Sequence, residues 1–430
     1  MERWKQSRCR STVQAFTGLG KTAIAVFAIR RVLNAIPEAY VLVVVPSAPV
    51  AKQWKRDIAV CCSPFERVEV VTMDTAARHS AEYKCDLLVI DEIHQIPTKK
   101  RMDVLRIRYR MILGLTATYE RLDGKHKILE RYAPISDDIT LAEGIRNGWT
   151  SDHVVYVVLC DIEDRNKYNE MTDKFKKIFE WFDHKFEDPF LILEDKQFRS
   201  SYVHNMVVPR MAIEEGVDIA RLNAKQLESM YAAGTQTALA NSSRFIKLMT
   251  ERKRFLWHHP KKLEIAEKIL AAYKGQKGIT FWSTIEDAEK VSVGKVYASA
   301  STESGRTEKQ NKEVLDWFFS TDGAVVNTVR ALNIGFDCPE ITFGIIAGFN
   351  SSKTDSKQKI GRAIRINKML REKKADVFYI VIRQTNDEHW AAKALSDTNY
   401  VIMQEEDLDA FLEGKHVEFM PGKLRTGSRY

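Results

Sequence analysis

A glycine-rich turn with a lysine and a threonine behind it is the part of this 430-residue chain best suited to chemistry: Ala15-Phe16-Thr17-Gly18-Leu19-Gly20-Lys21-Thr22. Gly18 and Gly20 can adopt backbone angles closed to other residues, so successive amides can curl round an anion. A helix starting behind them would aim its positive end at the same point. In such a turn Thr17, Gly18, Leu19 and Gly20 line a phosphate chain, Lys21 reaches its β and γ groups, and the Thr22 hydroxyl holds Mg2+. Ala15 stands where the general pattern has its first glycine. The second candidate is Asp91-Glu92-Ile93-His94, whose paired carboxylates could complete a Mg2+ shell (Asp91) and polarise an attacking water (Glu92). Acid pairs also close ordinary solvated turns, so this one gains meaning only beside the glycine turn. The third is Gln358-Lys359-Ile360-Gly361-Arg362-Ala363-Ile364-Arg365. There Arg362 and Arg365 would project toward one point from a helix and neutralise charge as a γ-phosphoryl group leaves.

These groups need a sheet to hold them. Residues 12–16 read as a short buried strand ahead of the glycine turn, and Ala23 to Leu33 as a helix with the apolar stripe Ile24, Phe27, Ala28 and Val32. The valine-rich run 41–46 is of the kind a parallel sheet covered on both faces requires. A helix over 49–60 follows it. Strands are expected over 68–73, over 86–90 ending in Asp91, and over 111–115 running into Thr116-Ala117-Thr118. The segments 141–148 and 153–160 read as the helix and strand that close the first half. A second β/α alternation begins near Lys261, with strands over 278–282, 295–299, 324–328, 341–347 and 377–382 and helices over 284–291 and 308–319. The expected fold class is α/β, with a parallel sheet in each half. Domains are expected at 1–160, 161–260, 261–400 and 401–430, the last carrying no legible motif.

Composition narrows the class. A hydrophobic fraction of 44% with 29% charged residues is ordinary for a globular protein. No run approaches the roughly 18 apolar residues of a membrane helix, and the amino terminus lacks a secretory core. The expectation is an intracellular, cytoplasmic protein. Six cysteines (Cys9, Cys61, Cys62, Cys85, Cys160 and Cys338) show no C-x-x-C pair or ligand spacing and read as free thiols. A net charge of +8 suits a polyanionic partner but does not by itself require one.

The order of the motifs carries a resemblance. The Ala-x-Thr-Gly-x-Gly-Lys-Thr loop, the Pro46-Ser47 turn with Gln53-Trp54, the Asp-Glu-x-His box and Leu-Thr-Ala-Thr resemble the first RecA-like lobe of a superfamily 2 helicase. Glu120-Arg121-Leu122-Asp123-Gly124 resembles the branch holding the XPB-like, RadD-like and phage UvsW-like DNA translocases. Gly335-Phe336-Asp337-Cys338-Pro339 resembles the fifth motif and Gln358 to Arg365 the sixth, so the second half resembles the second lobe. The resemblance implies two RecA-like lobes in tandem with ATP and Mg2+ between them. It implies catalytic roles for Lys21, Asp91, Glu92, His94, Gln358, Arg362 and Arg365, with Thr22 and Asp91 on the metal and Gly335 and Asp337 at the nucleotide. It further implies that Pro46, Ser47, Thr72 and Thr328 follow a nucleic-acid backbone, and that Thr116 and Thr118 couple the two sites. The family's adenine-reading glutamine has no clear counterpart, since Gln6 and Gln14 are the nearby candidates.

Residues 161–260 lie outside the resemblance and read as helical. Phe175, Phe179, Phe182, Phe186 and Phe190 fall at steps that stack rings on one helical face, suited to a packing seam or to a duplex-splitting wedge. The segment closes with Arg252, Lys253, Arg254 and Trp257, a mixture that fits a single strand's phosphates and base faces and equally a solvated helix face. The leading expectation is an ATP-dependent DNA helicase or translocase moving 3′ to 5′ on single-stranded, forked or branched DNA. It would act as a monomer in replication, recombination or repair. An RNA helicase and a nucleotide-gated clamp that does not unwind are the alternatives.

Overall fold

The structure is a computed structural model. It describes residues 2–16, 19–62, 65–121, 124–147, 152–298, 305–329, 340–350, 356, 359–361, 374–396, 398–420 and 422–424. Thr17, Gly18, Gly335, Asp337, Gln358, Arg362 and Arg365 lie outside the described residues.

Two parallel sheets organise the chain. The first contains β1 (Arg10–Ala15), β2 (Val41–Val45), β3 (Val68–Thr72), β4 (Lys84–Ile90), β5 (Arg108–Thr116) and β6 (Ile135–Ile139), in the order β3-β2-β4-β5-β1-β6. Every pairing in it is parallel. All five residues of β2 are buried, as a strand with helices on both faces demands. Because the strands run one way, the segments after β1, β2, β4 and β5 all emerge at one edge of the sheet. The strand that ends in Thr116 lies between the strand of the glycine turn and the strand of the acid pair.

The second sheet contains β7 (Asp152–Cys160), β8 (Gly278–Trp282), β9 (Lys295–Ala298), β10 (Val325–Val329), β11 (Phe343–Ile346), β12 (Lys374–Ile382) and β13 (Val401–Gln404), in the order β13-β7-β12-β11-β8-β10-β9. It too is parallel throughout. Two expectations are corrected here. The strand 153–160 does not close the first sheet: it pairs along its length with β12, Cys160 lying opposite Ile382, and with β13 on its other side. Residues 401–404, expected in a tail without structure-bearing motifs, supply the edge strand of the same sheet. The cause is common to both. Parallel neighbours are joined by long crossovers, so local sequence does not say which sheet an apolar run enters.

Residues Asp161–Pro260 form a separate compact unit. Its two long helices, Arg165–Trp181 and Ala224–Trp257, enclose an aromatic core. The five phenylalanines do not share one helix face, because Asp183 and His184 take positive φ angles of 50° and 59° and turn the chain back after Phe182. All five rings nevertheless surround Phe245, with centroids 5.0 Å (Phe175), 5.7 Å (Phe179 and Phe182), 5.6 Å (Phe186) and 6.3 Å (Phe190) from it. They are a packing seam, worth about 0.5–1.5 kcal/mol per favourable ring pair beyond the area buried. Within the unit its two ends are tied by Asp164 and His259, 2.9 Å apart.

Candidate nucleotide site

Gly20 adopts φ 79° and caps the helix Lys21–Ala35, a left-handed conformation that a residue with a Cβ enters at a cost. The helix therefore starts at Lys21, and its first amides have no partner within it, which is the arrangement that receives an anion. Leu19 belongs to the packing of this turn. Its amide donates to the Phe16 carbonyl at 3.2 Å, and its side chain fills the space a Cβ on Gly144 would need. The Lys21 ammonium lies 3.3 Å from the Ala15 carbonyl and 3.8 Å from Glu92 Oε1. The glycine turn and the acid pair, 70 positions apart in sequence, are thus neighbours across the sheet edge.

β4 delivers the acid pair. The Asp91 amide extends the ladder to the Val44 carbonyl, and Glu92 then takes φ 49°, a strained conformation that turns the chain sharply off the strand. Asp91 Oδ2 accepts a hydrogen bond from Trp54 Nε1 at 3.1 Å. Burial and the neighbouring Glu92 charge raise the Asp91 pKa, against the pull of Lys21 and of the indole. Burial would raise Glu92 as well, but Lys21, His94 and a backbone amide outweigh it and hold that carboxyl below its usual range. The pair is thus polarised, with Glu92 the ionised partner of Lys21.

His94 connects this pair to the next strand. Its Nδ1 lies 3.4 Å from Glu92 Oε2 and 2.9 Å from the Thr116 hydroxyl, which in turn bonds the Thr118 carbonyl and amide. The Tyr119 amide donates to Gln14 Oε1 at 2.7 Å, and Arg121 Nη1 donates to the His94 carbonyl at 2.7 Å. The loop after β5 is therefore fastened on one side to the strand that precedes the glycine turn and on the other to the acid pair. Ser47 caps the helix Ala48–Cys61 through its backbone, and its buried hydroxyl has no hydrogen-bond partner among the described residues. Thr72 caps the helix Met73–Arg78 and accepts from the Thr75 amide at 3.3 Å. Both sit at the same edge of the first sheet.

Two expected nucleic-acid contacts are corrected. Thr328 is 7% exposed inside β10 and donates to the Thr280 carbonyl at 2.8 Å, so its hydroxyl belongs to the core of the second sheet. Arg252 is 4% exposed and lies over the Phe175 ring at 4.5 Å and the Tyr168 ring at 5.7 Å. It packs the helical unit, while Arg254 is exposed and Lys253 stacks on Trp257 at 4.2 Å. Neither glutamine fits the adenine role. Gln14 is engaged with Tyr119, and Gln6 lies in the helix Glu2–Gln6 ahead of β1, at the opposite edge from the glycine turn. Sequence reasoning did not foresee Trp54 as the partner of Asp91 or Gln14 as the partner of the Tyr119 amide. The detectable trace was the indole's place on the helix after Pro46-Ser47, and a polar residue inside an otherwise buried strand.

A parallel sheet that gathers a glycine turn, a polarised acid pair and a bonded threonine loop at one edge, followed by a second parallel sheet, defines a RecA-like nucleotide-hydrolysing motor. Two family models match the chain: "Type III restriction enzyme, res subunit" over residues 1–84 and "Helicase conserved C-terminal domain" over residues 261–367. These matches support an ATP-hydrolysing helicase or translocase of superfamily 2 that is similar to the XPB-like branch. The chain is similar to the DNA 3'-5' translocase XPB2 of Sulfurisphaera tokodaii, at 23% identity over 387 residues covering 86% of this chain and 77% of that protein. Among solved structures it resembles S. cerevisiae Dbp5 bound to RNA and ADP BeF3, with a TM-score of 0.52 and 11% identity over 94% of this chain and 88% of that one. It also resembles the ATP-dependent Type ISP restriction-modification enzyme LlaBIII bound to DNA, with a TM-score of 0.54 and 12% identity over 95% of this chain and 31% of the other. Among the described residues no helix is long and apolar enough to cross a membrane.

Proposed function

We propose that the chain is a DNA translocase that couples ATP hydrolysis to 3′ to 5′ movement on single-stranded, forked or branched DNA, as an intracellular monomer serving replication, recombination or repair. The observation that carries this reading is the run of close contacts from Lys21 to Glu92 (3.8 Å) and from Glu92 to His94 (3.4 Å), continued by hydrogen bonds to Thr116 and Thr118. It joins a phosphate-binding turn to a loop at the edge where Ser47 and Thr72 would meet a strand's phosphates. The name of the Sulfurisphaera relative supports DNA and the direction.

In this reading Lys21 and the free amides behind Gly20 bind the phosphates of ATP. Glu92, ionised and turned off the strand, accepts a hydrogen bond from the attacking water and orients it. Thr22 and Asp91 would hold Mg2+, which supplies positive charge against the developing charge of the phosphates. The residues fit such an ion. Asp91 is destabilised as an anion by burial and by Glu92, strain that a divalent cation relieves. His94 reports the state of Glu92 to Thr116. Arg362 and Arg365 would approach the γ-phosphoryl group from the second lobe, with Gln358, Gly335 and Asp337 beside them, and closure on ATP followed by release after hydrolysis would move the strand. Lys253, Arg254 and Trp257 would add a second contact to it.

Steady-state ATPase measured with single-stranded, duplex, forked and four-way DNA, and with RNA of matched length, tests the proposal. DNA should stimulate and RNA should not, with stimulation lost in Lys21→Ala. Strand displacement on forked DNA separates a motor from a clamp. Stimulation by RNA alone, or turnover with neither displacement nor translocation, would overturn the reading.

A further inference from the structure

β5 is buried from Ile112 to Thr116, and Gly114 stands in the middle of that stretch. A glycine inside a strand weakens it and marks a place where something comes close to the backbone. Gly114 is in register with Ile90, the last residue of β4, on one side and with Thr12 of β1 on the other, so the sheet holds it from both sides. What comes close is Ile93. A Cβ on Gly114 would lie 2.8 Å from Ile93 Cδ1 and 3.2 Å from Ile93 Cγ2. It would also lie 2.5 Å from Thr12 Oγ1, the other wall of this notch, whose hydroxyl donates to the Ala133 carbonyl at 2.7 Å.

The notch sits under the acid pair. The chain leaves β4 at Asp91, reverses at Glu92 with φ 49°, and lays the fully buried Ile93 back on β5. The Gln95 amide then donates to the Glu92 carbonyl at 2.9 Å and the Ile96 amide to the Ile93 carbonyl at 3.0 Å, which closes the turn. A positive φ at a glutamate persists only where its surroundings enforce it, and the seat of Ile93 is such a constraint. An isoleucine branched at Cβ has little freedom about χ1, so its Cγ2 cannot swing clear of a methyl added at 114. The paired strand cannot yield either, which leaves the short turn to move, and Glu92 with it. A displacement of about 1 Å in a reacting arrangement can cost about a hundredfold in rate.

We propose that Gly114 is a positioning residue for ATP hydrolysis: the notch left by its missing side chain seats Ile93 and so fixes the turn that presents Glu92. This rests on the reading of Glu92 as the group that orients the attacking water. In DNA-stimulated ATPase of the full chain, Gly114→Ala should lower kcat about ten- to a hundredfold and leave the KM for ATP within about twofold. Ile93→Val removes the methyl nearest the added one and should raise the kcat of Gly114→Ala by about threefold or more. In a Glu92→Gln background, Gly114→Ala should change single-turnover hydrolysis by less than about twofold. Ile93→Leu conserves volume but moves the branch away from the notch, and by itself should lower kcat about three- to tenfold. A folded Gly114→Ala with parental kcat, an undiminished loss in the Glu92→Gln background, or no relief from Ile93→Val, whether or not Thr12→Ala gives relief, overturns the proposal while Glu92→Gln itself remains crippled. If Gly114→Ala melts at the assay temperature, Ile93→Leu carries the test, and parental kcat in that variant overturns the proposal. A Glu92→Gln enzyme with normal turnover instead removes the water-orienting reading, and this proposal with it.

Discussion

Replacing Lys262 by methionine should unfold the second sheet's edge far more easily than any surface change. Its ammonium lies 2.6 Å from Asp387 Oδ2, and both side chains are 0% exposed. It also bonds the Ala347 carbonyl at 2.9 Å and rests over the Phe349 ring at 4.9 Å. Methionine keeps most of the stem's packing, so the loss comes from electrostatics: the Asp387 carboxylate stays buried without its counter-ion. Breaking such a pair costs about 3–5 kcal/mol. At about 2–4 °C per kcal/mol for a domain of this size, the melting temperature should fall by roughly 6–20 °C. Adding Asp387→Asn removes the stranded charge and should recover all but about 1–2 kcal/mol, the remainder being the unsatisfied Ala347 carbonyl. Thermal unfolding followed by circular dichroism on the parent, both single variants and the double variant measures each term. The reasoning is refuted if Lys262→Met melts within a degree or two of the parent, or if the double variant is no more stable than the single one.

Other substitutions test the site. Trp54→Phe deletes the indole donor to Asp91 but keeps a large ring, and a hydrogen bond to a charged group is worth about 1.5–3 kcal/mol before water replaces part of it. The KM for Mg2+-ATP should rise about three- to tenfold with the melting curve nearly unchanged, and an unaltered KM would remove Asp91 from metal binding. Arg362→Ala should cost on the order of a thousandfold in turnover, with nucleotide affinity suffering less, as measured by single-turnover hydrolysis and nucleotide titration. In the helical unit, Arg254→Ala should lower the slope of log binding constant against log salt by about one, whereas Arg252→Met should leave the slope alone and lower the unit's melting temperature. The opposite pattern would restore Arg252 to the nucleic-acid surface.

Much of the site was legible because its chemistry is local in sequence. The glycine turn, the acid pair and the threonine loop each follow an apolar strand, and an all-parallel sheet brings every strand's carboxyl end to one edge. What escaped depended on partners far along the chain. β7 is as apolar as any central strand, and only its register with β12, which begins over 200 positions later, assigns it to the second sheet. Arg252 looked like part of a basic surface because the rings that cover it, Tyr168 and Phe175, lie on another helix. Thr328 was placed on the nucleic acid by resemblance alone, and nothing near it in sequence reveals the Thr280 carbonyl that takes its hydroxyl. The phenylalanine steps announced a seam correctly but not its bend, which Asp183 and His184 impose through backbone angles that periodicity does not encode.

The excursion from Asp161 to Pro260 leaves the second sheet after Cys160 and rejoins it at Lys261. Cys160 is in register with Ile382, the Ile382 amide donates to Asp387, and Asp387 holds Lys262. Departure and re-entry are thus separated by a few bonded groups, like the two legs of a staple. A cassette mounted this way can be shortened or exchanged without rerouting any strand of the sheet that carries it.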